Sequence, residues 1–166
     1  MIYKKNWKYI LKKEITNKKY QLKALKDFSD VLKGDLGGYV DKYCNLSQSG
    51  DCWIYDKSKV FGFAEVTGNA VVKDNSRVCE HARVSDNAKI IWSTISGRAE
   101  ISGNAEVKDS RVSEDAKVCE NSIVDLSTLI YGYAEVSGNA HISLSNISGN
   151  VKIDGNSKIL NKTYDI

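Results

Sequence analysis

The chain of 166 residues contains two histidines, His81 and His141, and either could act as the general base of an enzyme. A neutral imidazole takes a proton from a hydroxyl or an amine while that group attacks a substrate. Two histidines cannot supply the three imidazoles that hold zinc in a His₃ catalytic site. The motifs GxSxG, HExxH and GxxxxGK[ST] are absent as well. A lone surface histidine is more often plain polar surface, so the two residues support only an alternative, enzymatic interpretation.

Four cysteines, Cys44, Cys52, Cys79 and Cys119, are the other residues that could bind a metal or form a disulfide. They form no CxxC pair, and their spacings of 8, 27 and 40 residues match no zinc motif. Cys44 and Cys52 fall at positions where the repeat described below places a small inward residue, as a free cysteine often is. The sequence therefore predicts no disulfide, no metal and no cofactor.

Basic and aromatic residues at outward positions suggest ligand binding. Cationic side chains around an exposed indole can hold a phosphate and stack a base, although a solvated face is the simpler interpretation. The candidate ligand-binding residues are Lys73, Arg77, Trp92, Lys108, Arg111, His81, Arg98, Tyr131 and Tyr133. They predict a small anionic or nucleotide-like ligand.

Outward apolar residues predict contact with a second copy of the chain. These are Phe61, Phe63, Leu126, Leu129 and Leu144. The pair Phe61 and Phe63 recurs four coils later as Tyr131 and Tyr133, each pair flanking a glycine. We expect a homo-oligomer, most simply a trimer, with such aromatic corners serving either oligomer packing or the binding of a planar ligand.

A period of six residues positions all these side chains. Valine or isoleucine recurs at nearly every sixth residue from Ile54 to Ile159, and a small residue such as Ala64 or Ala70 stands two places before most of them. Alternation along a short strand places both members of each pair on one inward face. Three such strands form a triangular coil of 17 or 18 residues, and the coils stack about 4.8 Å apart.

The register of these coils predicts two ladders. Asparagines occupy one corner of each coil: Asn69, Asn87, Asn104, Asn121, Asn139 and Asn156. An outward column alternates in charge: Glu65, Arg83, Glu100, Lys117, Glu135 and Lys152. Three steps shortened to five residues fall on one flank, where the small residue is serine or threonine in every coil. Both ladders are structural devices that fix the coil register.

The domain organisation follows from where this period begins and ends. Residues 1–38 form a basic cap and junction, residues 39–160 the parallel β-helix, and residues 161–166 a C-terminal tail. Alternating apolar residues from Trp7 to Leu11 and from Tyr20 to Ala24, with a turn at Asn17–Lys19, predict a β-hairpin cap. Residues 1–35 carry a net charge of about +6. We expect these lysines to keep a small cap soluble, and binding of nucleic acid is the less favoured explanation.

Location is predicted from the absence of targeting signals. No stretch approaches 18 consecutive apolar residues, and no charged-then-apolar leader opens the chain. We therefore expect a cytoplasmic protein of a bacterial host without membrane contact.

The sequence resembles the hexapeptide-repeat proteins, which fold as left-handed parallel β-helices. More specifically, it is similar to a phage- and prophage-borne family in which a distinctive entry segment precedes G-N/D-A-x-V repeats. The entry segment comprises Ala24-Leu25-Lys26-Asp27-Phe28, Lys33-Gly34-Asp35-Leu36-Gly37-Gly38-Tyr39-Val40, Asn45-Leu46-Ser47 and Cys52-Trp53-Ile54-Tyr55-Asp56. The resemblance implies an all-β, left-handed parallel β-helix of about seven coils with an N-terminal hairpin cap. Members are often labelled transferases from the fold alone.

These observations favour a non-catalytic, homo-oligomeric, phage-type protein that sequesters a nucleotide-like host signalling ligand and so counters host defence. The first alternative is a hexapeptide-repeat acyltransferase with His81 or His141 as base, an enzyme class that the resemblance brings in. The second is a structural module or one that blocks a host protein. A fold does not determine function, so the choice depends on a site.

Overall fold

The described residues, 7–13 and 19–165 of this computed structural model, form a parallel β-helix whose N-terminal end carries an antiparallel hairpin. The predicted all-β fold of about seven coils is confirmed, because seven strands stack on one flank of the described part of the chain. Most of the predicted hairpin turn, Asn17 and Lys18, lies outside the described residues.

Three flanks make up the helix. The serine flank contains β3 (Leu36–Val40), β5 (Lys59–Val60), β8 (Arg77–Val78), β11 (Thr94–Ile95), β14 (Arg111–Val112), β17 (Leu129–Ile130), β20 (Asn146–Ser148) and β23 (Thr163–Asp165). The charged flank contains β6 (Glu65–Val66), β9 (Arg83–Val84), β12 (Glu100–Ile101), β15 (Lys117–Val118), β18 (Glu135–Val136) and β21 (Lys152–Ile153). The histidine flank contains β4 (Trp53–Ile54), β7 (Val71–Lys73), β10 (Lys89–Ile91), β13 (Glu106–Lys108), β16 (Ile123–Asp125), β19 (His141–Ser143) and β22 (Lys158–Leu160). Each flank is a parallel sheet whose neighbouring strands are one coil apart.

The interior is filled by the small and β-branched residues of the six-residue period. Ala64 and Val66 are completely buried, as are Ala70 and Val72 in the following strand. Because every coil repeats this pairing, the core is one continuous column of alanine, valine and isoleucine. Burial of such side chains is the main force that stacks the coils.

A buried ladder of hydroxyl groups runs along the serine flank. Ser58 Oγ accepts a hydrogen bond of 3.1 Å from Ser76 N, and Ser76 Oγ accepts one of 3.1 Å from Ser93 N. The pattern continues through Ser110 and Thr128 to Ser145. The N–H of Ser76 also bonds Lys73 O, but the other N–H groups of the ladder have no second acceptor among the described residues. Satisfying these buried groups explains why this flank uses serine where the other flanks use mainly alanine.

Both predicted surface ladders are present. Asn69 Nδ2 donates to Asn87 Oδ1 at 3.0 Å, and the same bond recurs in each coil as far as Asn156. Glu65 pairs with Arg83 on adjacent strands of the charged flank. At the asparagine corner the left-handed residue is Gly68, with φ of +66°, rather than Asn69. The asparagines therefore serve the amide ladder and glycine or an acidic residue makes the turn.

The hairpin of β1 (Tyr9–Lys13) and β2 (Tyr20–Ala24) extends the serine-flank sheet beyond β3 and also covers the first coil. The Trp53 ring is buried against the rings of Tyr9 and Phe28, with centroids 6.3 Å and 5.4 Å away. A Cβ atom added at Gly37 would lie 2.6 Å from the Trp53 ring, so only glycine fits this junction.

Two segments differ in detail from the sequence-based expectation. Tyr43–Asn45 form a single 3-10 turn, so the prediction of an inward Cys44 is wrong: Cys44 is exposed and Asn45 is buried instead. Within the predicted tail, Thr163–Asp165 form β23, which pairs with β20. None of the described helices is long and apolar enough to cross a bilayer.

Candidate functional site

Three polar side chains meet on two adjacent strands of the histidine flank. In the pairing of β16 with β19, Asp125 lies opposite Ser143 and Ile123 lies opposite His141. His141 and Ser143 are two residues apart, so both side chains leave the same, outward face of the strand. Asp125 occupies the rung before Ser143. The parallel register thus brings the imidazole, the hydroxyl and the carboxylate together.

The three groups form a closed set of hydrogen bonds. His141 Nε2 lies 3.0 Å from Asp125 Oδ2 and 3.2 Å from Ser143 Oγ, and the Ser143 hydroxyl donates a short bond to Asp125 Oδ1. An ionised carboxylate only accepts hydrogen bonds, so Nε2 must carry the proton in this arrangement. The neutral imidazole then has its lone pair on Nδ1.

Burial differs between the partners in a way that suits a proton acceptor. The His141 side chain is 42% exposed, whereas the Asp125 side chain is 21% exposed. Nε2 faces the sheltered carboxylate, and Nδ1 makes no hydrogen bond within the described residues. The carboxylate therefore orients the ring and fixes its tautomer, and Nδ1 is the ring nitrogen left open to a further partner.

This arrangement is not a serine-protease-type triad. In such a triad the carboxylate and the serine contact opposite nitrogens of the ring. Here Asp125 and Ser143 share Nε2, and the Ser143 proton is already donated to Asp125. Ser143 is therefore a positioning residue for the carboxylate rather than an activated nucleophile.

Exposed apolar residues surround the polar cluster. Leu126 and Leu144 follow Asp125 and Ser143 at the leucine corner, where the chain passes from the histidine flank to the serine flank; the corner also carries Trp92. Leu126 and Leu144 are 51% and 52% exposed and have φ of +53° and +51°. Large side chains rarely adopt this left-handed backbone. Ile123 precedes His141 in its outward column, and Lys158 follows it.

His81, the second candidate base, lies elsewhere. It sits at the aromatic corner, between the serine and charged flanks, where its ring stacks on Phe63 with centroids 5.0 Å apart. His81, Arg98 and Tyr133 line an open cleft of about 430 Å³ on that corner. Within the described residues its ring has no carboxylate hydrogen-bond partner, unlike that of His141.

The remaining predicted ligand-binding residues do not converge on one site. Lys73 and Lys108 stand in one outward column at the edge of the histidine flank, while Arg77 and Arg111 stand on the serine flank. Trp92 projects from the leucine corner between them. In the other group, His81, Arg98 and Tyr133 share the aromatic corner, and Tyr131 stands two residues before Tyr133.

The predicted interface residues are likewise divided between two corners. Leu126 and Leu144 form the leucine corner, and Leu129 opens β17 beside it. Phe61 and Phe63 belong to the aromatic corner, where Arg77 lies 5.3 Å over the Phe61 ring and Lys42 lies 4.0 Å over the Phe63 ring.

His141 is a candidate from the sequence, whereas Asp125 and Ser143, which bond its ring, are not among the residues that sequence reasoning singled out. The signal was available, because Ser143 follows Asp125 by one 18-residue coil and follows His141 by one alternation of the strand. Within the described ranges, no group of three or more histidine, cysteine, aspartate or glutamate side chains could hold a metal ion.

Comparison with known proteins gives one informative similarity. A segment of 48 residues is 44% identical to the uncharacterized acetyltransferase YdcK of Escherichia coli (strain K12). It covers 28% of this chain and 15% of that protein, so the similarity extends over a small part of the relative. No family model matches the chain.

The similarity corrects the functional prediction. The prediction of a non-catalytic protein that sequesters a nucleotide-like signalling ligand is wrong, because the relative is an acetyltransferase. The alternative of a hexapeptide-repeat acyltransferase is favoured, and the parallel β-helix together with this similarity fits a hexapeptide-repeat protein. The phage origin stays a prediction.

Proposed function

We propose that this protein is an acyltransferase in which His141 acts as general base. The observation that carries the proposal is the bond of 3.0 Å between His141 Nε2 and Asp125 Oδ2, which leaves Nδ1 as the free basic nitrogen of a part-exposed imidazole. The similarity to an acetyltransferase supports the same reaction class.

The reaction follows from this polarity. An acceptor hydroxyl or amine bound at Nδ1 loses its proton to His141 as its oxygen or nitrogen attacks the carbonyl carbon of an acyl thioester such as acetyl-CoA. Asp125 stabilises the imidazolium that forms. When the carbon–sulfur bond breaks, His141 returns the proton to the thiolate. Lys158 lies one rung from His141 in the same column, and its ammonium group would stabilise the transient oxyanion.

We also propose that a second copy of the chain covers the leucine corner and completes the site. The outward side chains around His141 stand on one flank of the β-helix, so a partner surface would be needed to cover a substrate bound there. Leu126 and Leu144 expose apolar surface beside His141, and both have a left-handed backbone. Other coils have an acidic or amide residue at the same position: Asp56, Asp74, Asp109 and Asn161. Asparagine and aspartate suit that backbone better, so the leucines are explained by contact with a partner.

The direct test is release of free thiol from acetyl-CoA with a panel of amine and hydroxyl acceptors. We expect turnover with at least one acceptor and a fall of about 100-fold or more in His141→Asn, in line with the usual contribution of a general base. His81→Asn is the matched control and should stay near the wild-type rate. Absence of turnover with every acceptor, or equal losses in the two variants, would overturn the proposal.

A further inference from the structure

A buried amine and a buried thiol lie against each other beneath the N-terminal hairpin, far along the chain from His141. The Lys8 side chain is 1% exposed and Cys52 is completely buried. Lys8 Nζ lies 3.3 Å from Cys52 Sγ and also donates to Cys52 O at 2.9 Å and to Gly50 O at 3.0 Å. A lysine this deeply buried is rare unless it is paired with an anion.

Among the residues that the structure describes, the Cys52 thiol is the group at hydrogen-bond distance from Lys8 that can become an anion. Within the described part of the chain, no carboxylate comes within ion-pair distance of Nζ, and the other neighbours are two carbonyl oxygens and the Phe28 ring at 5.2 Å. Burial lowers the pKa of Lys8 and raises that of Cys52, while each opposes the shift of the other. Transfer of the thiol proton to a neutral amine would convert the contact into an ammonium–thiolate pair.

We propose that Lys8 and Cys52 are a site of oxidative cross-linking, in which a peroxide converts the pair into a covalent sulfenamide between Nζ and Sγ. The proposal is independent of the acyltransferase activity. It rests on the contact between the two atoms and on the burial of both residues beneath the hairpin.

The chemistry balances with one peroxide as the named oxidant. The Cys52 thiolate attacks hydrogen peroxide, so an S–O bond forms, the O–O bond breaks, and the hydroxide released takes the Lys8 proton to give water. Sulfur is now a neutral sulfenic acid and no longer stabilises an ammonium. The amine lone pair attacks sulfur, the S–O bond breaks, and the leaving hydroxide takes an amine proton to give a second water.

The cross-link would fasten the cap to the first coil. Lys8 precedes β1, which pairs within the described residues only with β2, and Cys52 precedes β4. The Gln48 side chain already bonds the backbone of Lys8 and Tyr9, and oxidation would add a covalent link between the hairpin and the first coil. Because both side chains are buried, we expect slow reaction that follows local opening of the hairpin.

The test uses the full chain with Cys44→Ser as background, which removes the exposed cysteine that could form a disulfide with Cys52. After treatment with hydrogen peroxide we expect a tryptic species that links the Lys8 and Cys52 peptides and is lighter than their sum by two hydrogen atoms. Dithiothreitol should reverse it. Hydrogen exchange of β1 amides should slow in the oxidised protein.

Two variants separate this chemistry from general oxidation. Lys8→Arg keeps the positive charge but should give no linked peptide, and Cys52→Ser should give none either. If Cys52 stops at sulfinic acid, remains reduced while Cys79 and Cys119 oxidise, or reacts with Lys8 unmodified, the proposal is wrong. Should Lys8→Arg fail to fold, the peptide map of the Cys44→Ser protein still decides the question.

Discussion

Asp125 Oδ2 lies 3.0 Å from His141 Nε2, across two neighbouring rungs of the β-helix. The two residues belong to neighbouring coils, Asp125 to β16 and His141 to β19, and both side chains face outward. The parallel register Ile123↔His141 and Asp125↔Ser143 creates the contact. The orientation of the imidazole is therefore a property of coil stacking, and changes that leave the coils intact can test it selectively.

Replacing Asp125 by asparagine should disable the base while leaving the fold intact. The new amide can donate to Nε2, which would place the imidazole proton on Nδ1 and leave no lone pair for the acceptor. We expect kcat to fall by about 100-fold or more in the thiol-release assay, with a much smaller change in KM. Asp115→Asn, on the aromatic corner, is the control. Wild-type kcat in Asp125→Asn would show that the carboxylate does not set the tautomer.

Replacing Ser143 by alanine should have a milder effect. The hydroxyl positions the Asp125 carboxylate, so we expect a loss of about tenfold rather than abolition, as for other positioning partners. Mass spectrometry of the wild-type protein incubated with acetyl-CoA should show no acetyl group on Ser143. An acetyl-Ser143 adduct that forms and decays at the rate of turnover would instead make Ser143 the nucleophile.

The fold could be predicted because one arithmetic rule governs the whole column. Three steps of six residues make one coil, which places Glu65 against Arg83 and Asn69 against Asn87, and the structure has both pairs. The rule failed at Cys44, where a 3-10 turn replaces a strand. The hydrogen bonds of the side chains were harder to predict from the sequence. The inward position of Ser93 follows from the period, but the bond from its hydroxyl to a buried N–H group of the next coil does not.

The site was only half predictable. The coil period places Asp125 beside Ser143. It also places every other outward residue beside a neighbour, so it does not single out the contact between a histidine and a carboxylate one coil earlier. The left-handed backbone of Leu126 and Leu144 was also hidden. That conformation follows from the tight corner and not from leucine, which seldom adopts it.

Exchanging Leu126 and Leu144 for asparagine should separate folding from assembly. Asparagine tolerates positive φ, so we expect the stability of the single chain to rise by up to about 1 kcal/mol per site in urea unfolding. Native mass spectrometry should show fewer oligomers, and acyltransferase activity should fall with them. The exposed Leu32, on the cap, gives the control exchange Leu32→Asn. If oligomers persist unchanged in the double variant, the leucine corner is not the contact.

Breaking the asparagine ladder in its middle should cost more than trimming its end. Asn104 donates to Asn121 and accepts from Asn87, whereas Asn156 only accepts from Asn139. We expect Asn104→Ala to lower the free energy of unfolding by about 1 kcal/mol and Asn156→Ala by roughly half as much, since one exposed amide bond is lost instead of two. Equal effects in chemical denaturation would mean that the amides do not act as a continuous ladder.

The cap should lose stability at alkaline pH through Tyr9. Burial raises the pKa of Tyr9, whose single hydroxyl proton faces two carbonyl acceptors, Leu46 O at 2.5 Å and Tyr43 O at 3.0 Å. Above the ordinary tyrosine pKa of about 10, the unfolded chain releases this proton while the folded chain retains it, so the free energy of unfolding falls as pH rises. Below that pH the stabilisation is fully present. Tyr9→Phe should therefore be less stable than wild type near neutral pH, by about 1 kcal/mol for the lost bonds, yet show a shallower decline between about pH 9 and 11. Urea unfolding across that pH range measures the free energy of unfolding of both proteins. If it declines equally in the two, Tyr9 ionises as readily in the folded chain as in the unfolded one.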